Sequence, residues 1–131
     1  MLEMAQVGKE DIVYDLGCGD GRIVAVAAGE FGARAVGIEA DPVRFLISFL
    51  RVKLGRTKNR AKIIWGNFYS CSLSEATVVT VFLSPEANER LKEKLQRELS
   101  PGTRIVSYLW VFEGWKAIKA DYLSHLYLYR I

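Results

Sequence analysis

Apolar positions in this chain alternate between compact runs and helically spaced stretches, with glycine or proline at nearly every border. Residues 12–16 form an apolar run stopped by Gly17, which reads as a buried strand, and the Ala-rich stretch 22–31 reads as a helix closed by Gly32. A second strand is expected at 34–38. Asp41-Pro42 then gives a helix cap followed by proline in the first turn, opening a helix over 42–54 that ends at Gly55. Residues 61–65 and 78–83 are β-branched strands. Ser84-Pro85 repeats the cap-plus-proline signal, Leu91, Leu95 and Leu99 follow at helical spacing, and Ser100-Pro101-Gly102 stops that helix. Strands are expected at 103–108, 115–120 and 126–130, and residues 2–7 read as the last turns of a short helix. Strands alternate with helices and then follow one another directly. The expected fold is therefore α/β: a three-layer, Rossmann-like sandwich on a seven-stranded, mostly parallel sheet with a C-terminal antiparallel hairpin.

Helix 42–54 carries apolar residues on two sides. Val43, Leu46, Ile47, Leu50 and Leu54 share about a third of the circumference and are expected to face the core. Phe45, Phe49 and Val52 fall opposite, which suggests either a covering loop or a homodimer contact.

With 131 residues and half of them apolar, the chain is expected to be one domain spanning 1–131 with a core of its own. No apolar run approaches the ~18 residues of a membrane span. No signal peptide is visible, and two cysteines make neither a disulfide framework nor a metal set, so a cytoplasmic location is expected. The net charge of +3 conceals an asymmetry. Segment 44–62 holds seven basic residues (Arg44, Arg51, Lys53, Arg56, Lys58, Arg60, Lys62), and no acidic one occurs between Pro42 and Ser74. Two readings fit: a patch for nucleic acid or an acidic partner, or cations gathered at a helix C-terminus and its loop.

The strongest chemical signal is Asp15-Leu16-Gly17-Cys18-Gly19-Asp20-Gly21-Arg22, which leaves a strand, turns on three glycines and enters a helix. At the carboxyl end of a first parallel strand, such a loop lies where α/β sheets bind nucleotides. Glu39 follows 20 residues after Gly19, where a carboxylate can accept from both ribose hydroxyls. The spacing G-x-G-x-G differs from the dinucleotide fingerprint, and Asp20 would sit beside a pyrophosphate. A carboxylate there is favourable beside an ammonium or sulfonium, and Asp15 adds a second. This charge balance selects S-adenosylmethionine.

The motif D-L-G-C-G-D-G-R resembles motif I of class I S-adenosylmethionine-dependent methyltransferases. More closely, the chain resembles the small archaeal protein-lysine methyltransferases, relatives of the mitochondrial lysine methyltransferase that modifies the ATP synthase c-subunit. The similar segments are 11–22, 35–41, 62–68, 76–83, 88–99 and 101–107. The resemblance implies that Asp15, Gly17, Cys18 and Gly19 shape the methionyl pocket, with Asp20 near the cofactor amine. It implies further that Glu39 holds the ribose, Ala40 flanks the adenine, and Asn67, beside Phe68, bonds the adenine amino group. Phe82, Leu83 and Ser84 would lie by the transferable methyl, and Asn88 matches a further family position. The family carries a longer N-terminal segment over the cofactor, and after Ser107 it tends to have His or Asn, an acid and an aromatic, where this chain has Tyr108-Leu109-Trp110. The implied substrate is a protein with an accessible lysine. Alternatives are an RNA or DNA methyltransferase, for which Phe82-Leu83-Ser84-Pro85 is a poor match, and a non-catalytic adenosyl-binding protein that dimerises. A lysine nucleophile made neutral by burial needs no dedicated base, and His125 reads as structural. No metal is expected.

Overall fold

The computed structural model describes residues 1–57 and 59–131, so Lys58 of the basic segment lies outside the described residues. The elements in order are β1 (Ile12–Leu16), α1 (Arg22–Gly29), β2 (Arg34–Glu39), α2 (Pro42–Leu54), β3 (Ala61–Trp65), β4 (Val78–Val81), α3 (Pro85–Glu98), β5 (Arg104–Tyr108), β6 (Lys119–Asp121) and β7 (Leu126–Arg130). The strands form one seven-stranded sheet in the order β3-β2-β1-β4-β5-β7-β6. Pairing is parallel from β3 to β5, and β7 runs antiparallel to both β5 and β6. The chain steps outward from β1 through β2 to β3, then returns to start again at β4 on the other side of β1. That reversal opens a crevice at the carboxyl ends of the central strands.

Strand alternation divides the core between two faces. Val13, Ala35, Val78, Val106 and Leu128 pack with Val24, Ala27 and Ala28 of α1. Tyr14, Leu16, Ile38, Val79, Val81 and Ile105 pack with Leu91 and Leu95 of α3. Both expected caps are in place: the Asp41 carboxylate accepts from Arg44 N–H, and Ser84 Oγ accepts from Ala87 N–H.

One row of the sheet departs from the apolar rule. Ile63, Gly37, Asp15, Thr80 and Val106 stand side by side across five strands, all facing α1. Gly37 supplies a gap: a Cβ there would stand 2.7 Å from Cys18 Sγ and 2.8 Å from Val24 Cγ2. The glycine loop and the first turn of α1 fill that gap. We expect Gly37→Ala to destabilise the chain by about 1–3 kcal/mol, since a crowded core must shift both neighbours. Thermal denaturation measures this, and an unchanged melting temperature would mean that loop and strand have room to part.

Three expectations need correction. Residues 2–7 form successive hydrogen-bonded turns, such as Val7 N–H to Leu2 C=O at 3.1 Å, with Gln6 at positive φ, rather than the end of a helix. The strand expected at 115–120 is shorter and later, Lys119–Asp121, because Trp115 is drawn instead onto the Phe112 ring at 4.8 Å.

The third correction concerns α2, whose inner and outer faces are reversed. Ser48 and Val52 are buried and Phe45 half-buried against Trp65, whereas Val43, Leu46, Ile47, Leu50 and Leu54 are exposed. The cause is close packing. Gly21 has no Cβ, and one built there would lie 2.9 Å from Ser48 Cβ, so the small Ser48 alone fits against the loop. Arg51 on the same side donates from Nε to the Asp20 carbonyl at 2.8 Å. Val52 is buried and Phe45 stacks on Trp65, so of Phe45, Phe49 and Val52 Phe49 alone is exposed, and the three do not form a continuous surface for a homodimer.

Candidate functional site

The glycine loop between β1 and α1 is built on positive φ at Gly17, Gly19 and Gly21 (71°, 57° and 81°), which side chains other than glycine adopt at a cost. Backbone bonds hold it against β2: Gly17 N–H and Cys18 N–H both donate to the Ile38 carbonyl, at 2.8 and 3.0 Å. Glu39 completes the attachment. Its buried carboxylate accepts from Gly19 N–H at 2.8 Å through Oε1 and from Asp41 N–H at 3.0 Å through Oε2. One side chain thus fixes both the loop after β1 and the entrance to α2.

Asp15 stands in the middle of the buried row beneath the loop. Thr80 Oγ donates to it at 2.8 Å, and burial pushes its carboxyl up to about 7; the Thr80 bond opposes this, while nearby Glu39 and Asp20 add to it. Asp20 behaves oppositely. Burial pushes it up, but the Arg22 N–H and guanidinium, together with Arg51, outweigh that and hold it below the ordinary value. Cys18 is buried, and burial together with Asp15 pushes its thiol up to about 12, so it stays protonated and serves packing.

Asp15, Gly17, Cys18, Gly19 and Asp20 line a cleft of about 580 Å³, joined by Arg22, Ile23, Arg44 and Phe82. That volume is in the range of small-molecule sites. An added Cβ on Gly19 would meet nothing within 4 Å, so the backbone is bare toward open space, as close approach of a ligand requires. Gly17 is flanked by Leu83 and Phe68, which an added Cβ would meet at 3.3 and 3.9 Å. Ala40 and Asn67 are exposed beyond the β2 and β3 ends, and Asn67 Oδ1 accepts from Tyr69 N–H at 2.8 Å. Phe82 stands more than half exposed and edge-on to Tyr108 at 4.7 Å. Ser84, by contrast, spends its hydroxyl on the α3 cap.

Asn88 of α3 is buried and pins the segment after β5. Its Nδ2 donates to the Trp110 and Val111 carbonyls at 3.2 and 3.3 Å, and Ser107 Oγ also donates to the Trp110 carbonyl. His125 sits at a hairpin turn with φ 56°, and its carbonyl accepts from Leu109 N–H at 2.7 Å, a structural use of the backbone. Thr80, Gly37, Ser48, Arg44 and Tyr108 were not marked as site residues by the sequence. The Asp15–Thr80 pair is set by strand register, and the others by packing, so local motifs carry no trace of them.

The donor set fits a ligand with a cationic head. Asp15 and Asp20 line the cleft together with Arg22 and Arg44, and the Arg22 guanidinium is paired with the Asp20 carboxylate. A doubly wound sheet with this strand order, an acidic glycine loop and an acid at the end of β2 defines a class I S-adenosylmethionine-dependent methyltransferase. The model of the ANTKMT methyltransferase domain matches residues 15–119, and the chain belongs to that family. It is 46% identical to a protein-lysine N-methyltransferase of Saccharolobus islandicus (strain REY15A), covering 100% of this chain and 86% of the relative. It is 35% identical to the adenine nucleotide translocase lysine N-methyltransferase of Mus musculus, covering 85% of this chain but 48% of that protein, so the chain spans about half the length of this relative. Among solved structures, an RNA methyltransferase from Salinibacter ruber in complex with S-adenosyl-L-homocysteine superposes with a TM-score of 0.93. It is 40% identical and covers 98% of this chain and 84% of that one. The enzyme's methyl donor is S-adenosylmethionine.

Proposed function

We propose that residues 1–131 form one catalytic domain that methylates lysine side chains of a protein, in the cytoplasm. The observation that carries this reading is the end of β4. Phe82 lines the cleft and meets Tyr108 edge-on, while Ser84, the polar residue after it, is occupied as a helix cap. Methylation of a base amine calls for a side-chain acceptor at that point. An aromatic wall suits a lysine's aliphatic stem instead, and burial lowers the amine's pKa from its ordinary ~10.4 toward the neutral, nucleophilic form. The 46% identity to a protein-lysine N-methyltransferase along the whole chain supports the same conclusion.

When bound, S-adenosylmethionine supplies an electrophilic methyl on a sulfonium. The chain's part is alignment, which can account for most of the barrier lowering in a direct displacement. In this reading Asp15 and Asp20 hold the ammonium, with Gly17, Cys18 and Gly19 giving the backbone its close approach. Glu39 holds the ribose, Ala40, Asn67 and Phe68 bracket the adenine, and Phe82 with Leu83 guides the amine. Asn88 keeps the segment after β5 in place as the opposite wall.

The Salinibacter protein's description as an RNA methyltransferase, with the basic segment 44–62, favours a second reading in which the substrate is RNA. One experiment separates the two. Label from radioactive S-adenosylmethionine should appear on proteins of a cell extract, at lysine Nζ by mass spectrometry, and not on tRNA in the same mixture. Label confined to RNA would overturn the lysine reading.

A further inference from the structure

We infer that the outer face of α2 docks this protein onto an anionic membrane surface, an interaction beyond the methyl transfer proposed above. Val43, Leu46, Ile47, Leu50 and Leu54 form a ridge along the whole helix, each between 43 and 82% exposed. Isolated exposed leucines are ordinary, whereas five neighbouring large aliphatics form a contiguous patch that calls for a partner. At 3.6 residues per turn, Arg44 and Arg51 fall on one flank of this ridge and Lys53 on the other. Arg44 and Lys53 are exposed, Arg56 follows just past the helix end, and no acidic residue occurs between Pro42 and Ser74.

Charge selects the occupant. A second copy meeting this face about a two-fold axis would set its own Arg44 and Lys53 against the same residues here, and like charges repel in a desolvated interface. Nucleic acid would satisfy the cations but find neither hydrogen-bond partners nor ring faces on five aliphatic side chains. A protein helix or sheet would have to bring a groove with an acidic rim shaped to this ridge. An anionic bilayer surface offers both complements at once: a shallow apolar layer for the ridge and phosphates for basic side chains on either flank. Thirteen residues are too few to span, and among the described residues no helix is long and apolar enough to cross a membrane, so the helix would lie in the interface plane. Arg44 also lines the cleft, so docking by this face would hold the cleft rim at the headgroup layer.

Vesicle sedimentation tests the inference. The protein should pellet with vesicles of phosphatidylcholine mixed with phosphatidylglycerol and stay in solution with phosphatidylcholine alone. The double substitution Leu46→Ser and Leu50→Ser should weaken binding to the mixed vesicles about tenfold or more, as buried apolar area is lost. Lys53→Glu should weaken it several-fold. All three positions are exposed, so the variants should keep both their melting temperature and its rise with S-adenosylhomocysteine. No pelleting with anionic vesicles at low salt would overturn the inference. Undiminished binding by the double variant would also overturn it, leaving plain charge attraction. So would a dimer in analytical ultracentrifugation that the leucine substitutions dissolve.

Discussion

Glu39→Gln should weaken S-adenosylhomocysteine binding by about 10- to 100-fold while changing almost nothing in size. The native carboxylate accepts at both oxygens, from Gly19 N–H and from Asp41 N–H. A glutamine amide has one acceptor and one donor end, so one of these two N–H groups must face an NH2. A hydrogen bond to a charged group is worth ~1.5–3 kcal/mol, and the proposed ribose contact would weaken as well. The melting temperature should fall several degrees, since the clamp also serves the empty protein. Titration calorimetry and thermal shift read the two effects separately. Affinity equal to the wild type would remove Glu39 from the ribose site.

Asp15→Asn should split stability from binding. The folded carboxyl is held up to about 7 from its ordinary 3.8, mainly by burial. Between those values the folded chain keeps a proton that the unfolded chain gives up, so stability contributed by this group falls as pH rises through that window. Asparagine cannot ionise, and its Oδ1 still accepts from Thr80. The variant should therefore melt several degrees above the wild type at pH 8 and close to it near pH 4. Affinity moves the other way. A cationic ligand head favours the ionised carboxylate, so wild-type affinity for S-adenosylhomocysteine should rise with pH by up to about tenfold per unit below pH 7 and then level off. The variant should bind about tenfold or more weakly above pH 7, with no such slope. A flat wild-type profile between pH 6 and 8 would show that Asp15 does not sense the ligand.

The contrast between these residues and those misread from the sequence has a physical source. Helix starts at Pro42 and Pro85 were legible because a cap and a proline act on the backbone beside them. Gly17, Gly19 and Glu39 were legible because their spacing follows from one strand-turn-helix-strand unit. The inner face of α2 was not. Counting apolar residues favoured Val43, Leu46 and Leu50, while the decisive contact is one small serine opposite a glycine 27 positions earlier. The Asp15–Thr80 pair likewise depends on register between strands 65 residues apart. Such information exists only once the sheet is assembled.

Strand order carries a kinetic consequence. β6 precedes β7 along the chain but pairs in the sheet with β7 alone, which lies between it and β5. β6 can join only after, or together with, the strand that follows it, so this end of the sheet assembles against the order of synthesis. Until then β5 presents an open edge, with its own Ile105 and Val106 awaiting their β7 partners Tyr129 and Leu128. Such an edge is a template for pairing with another chain. The late hairpin is thus the step at which folding and aggregation compete, and a chain stalled before residue 126 would be the aggregation-prone species.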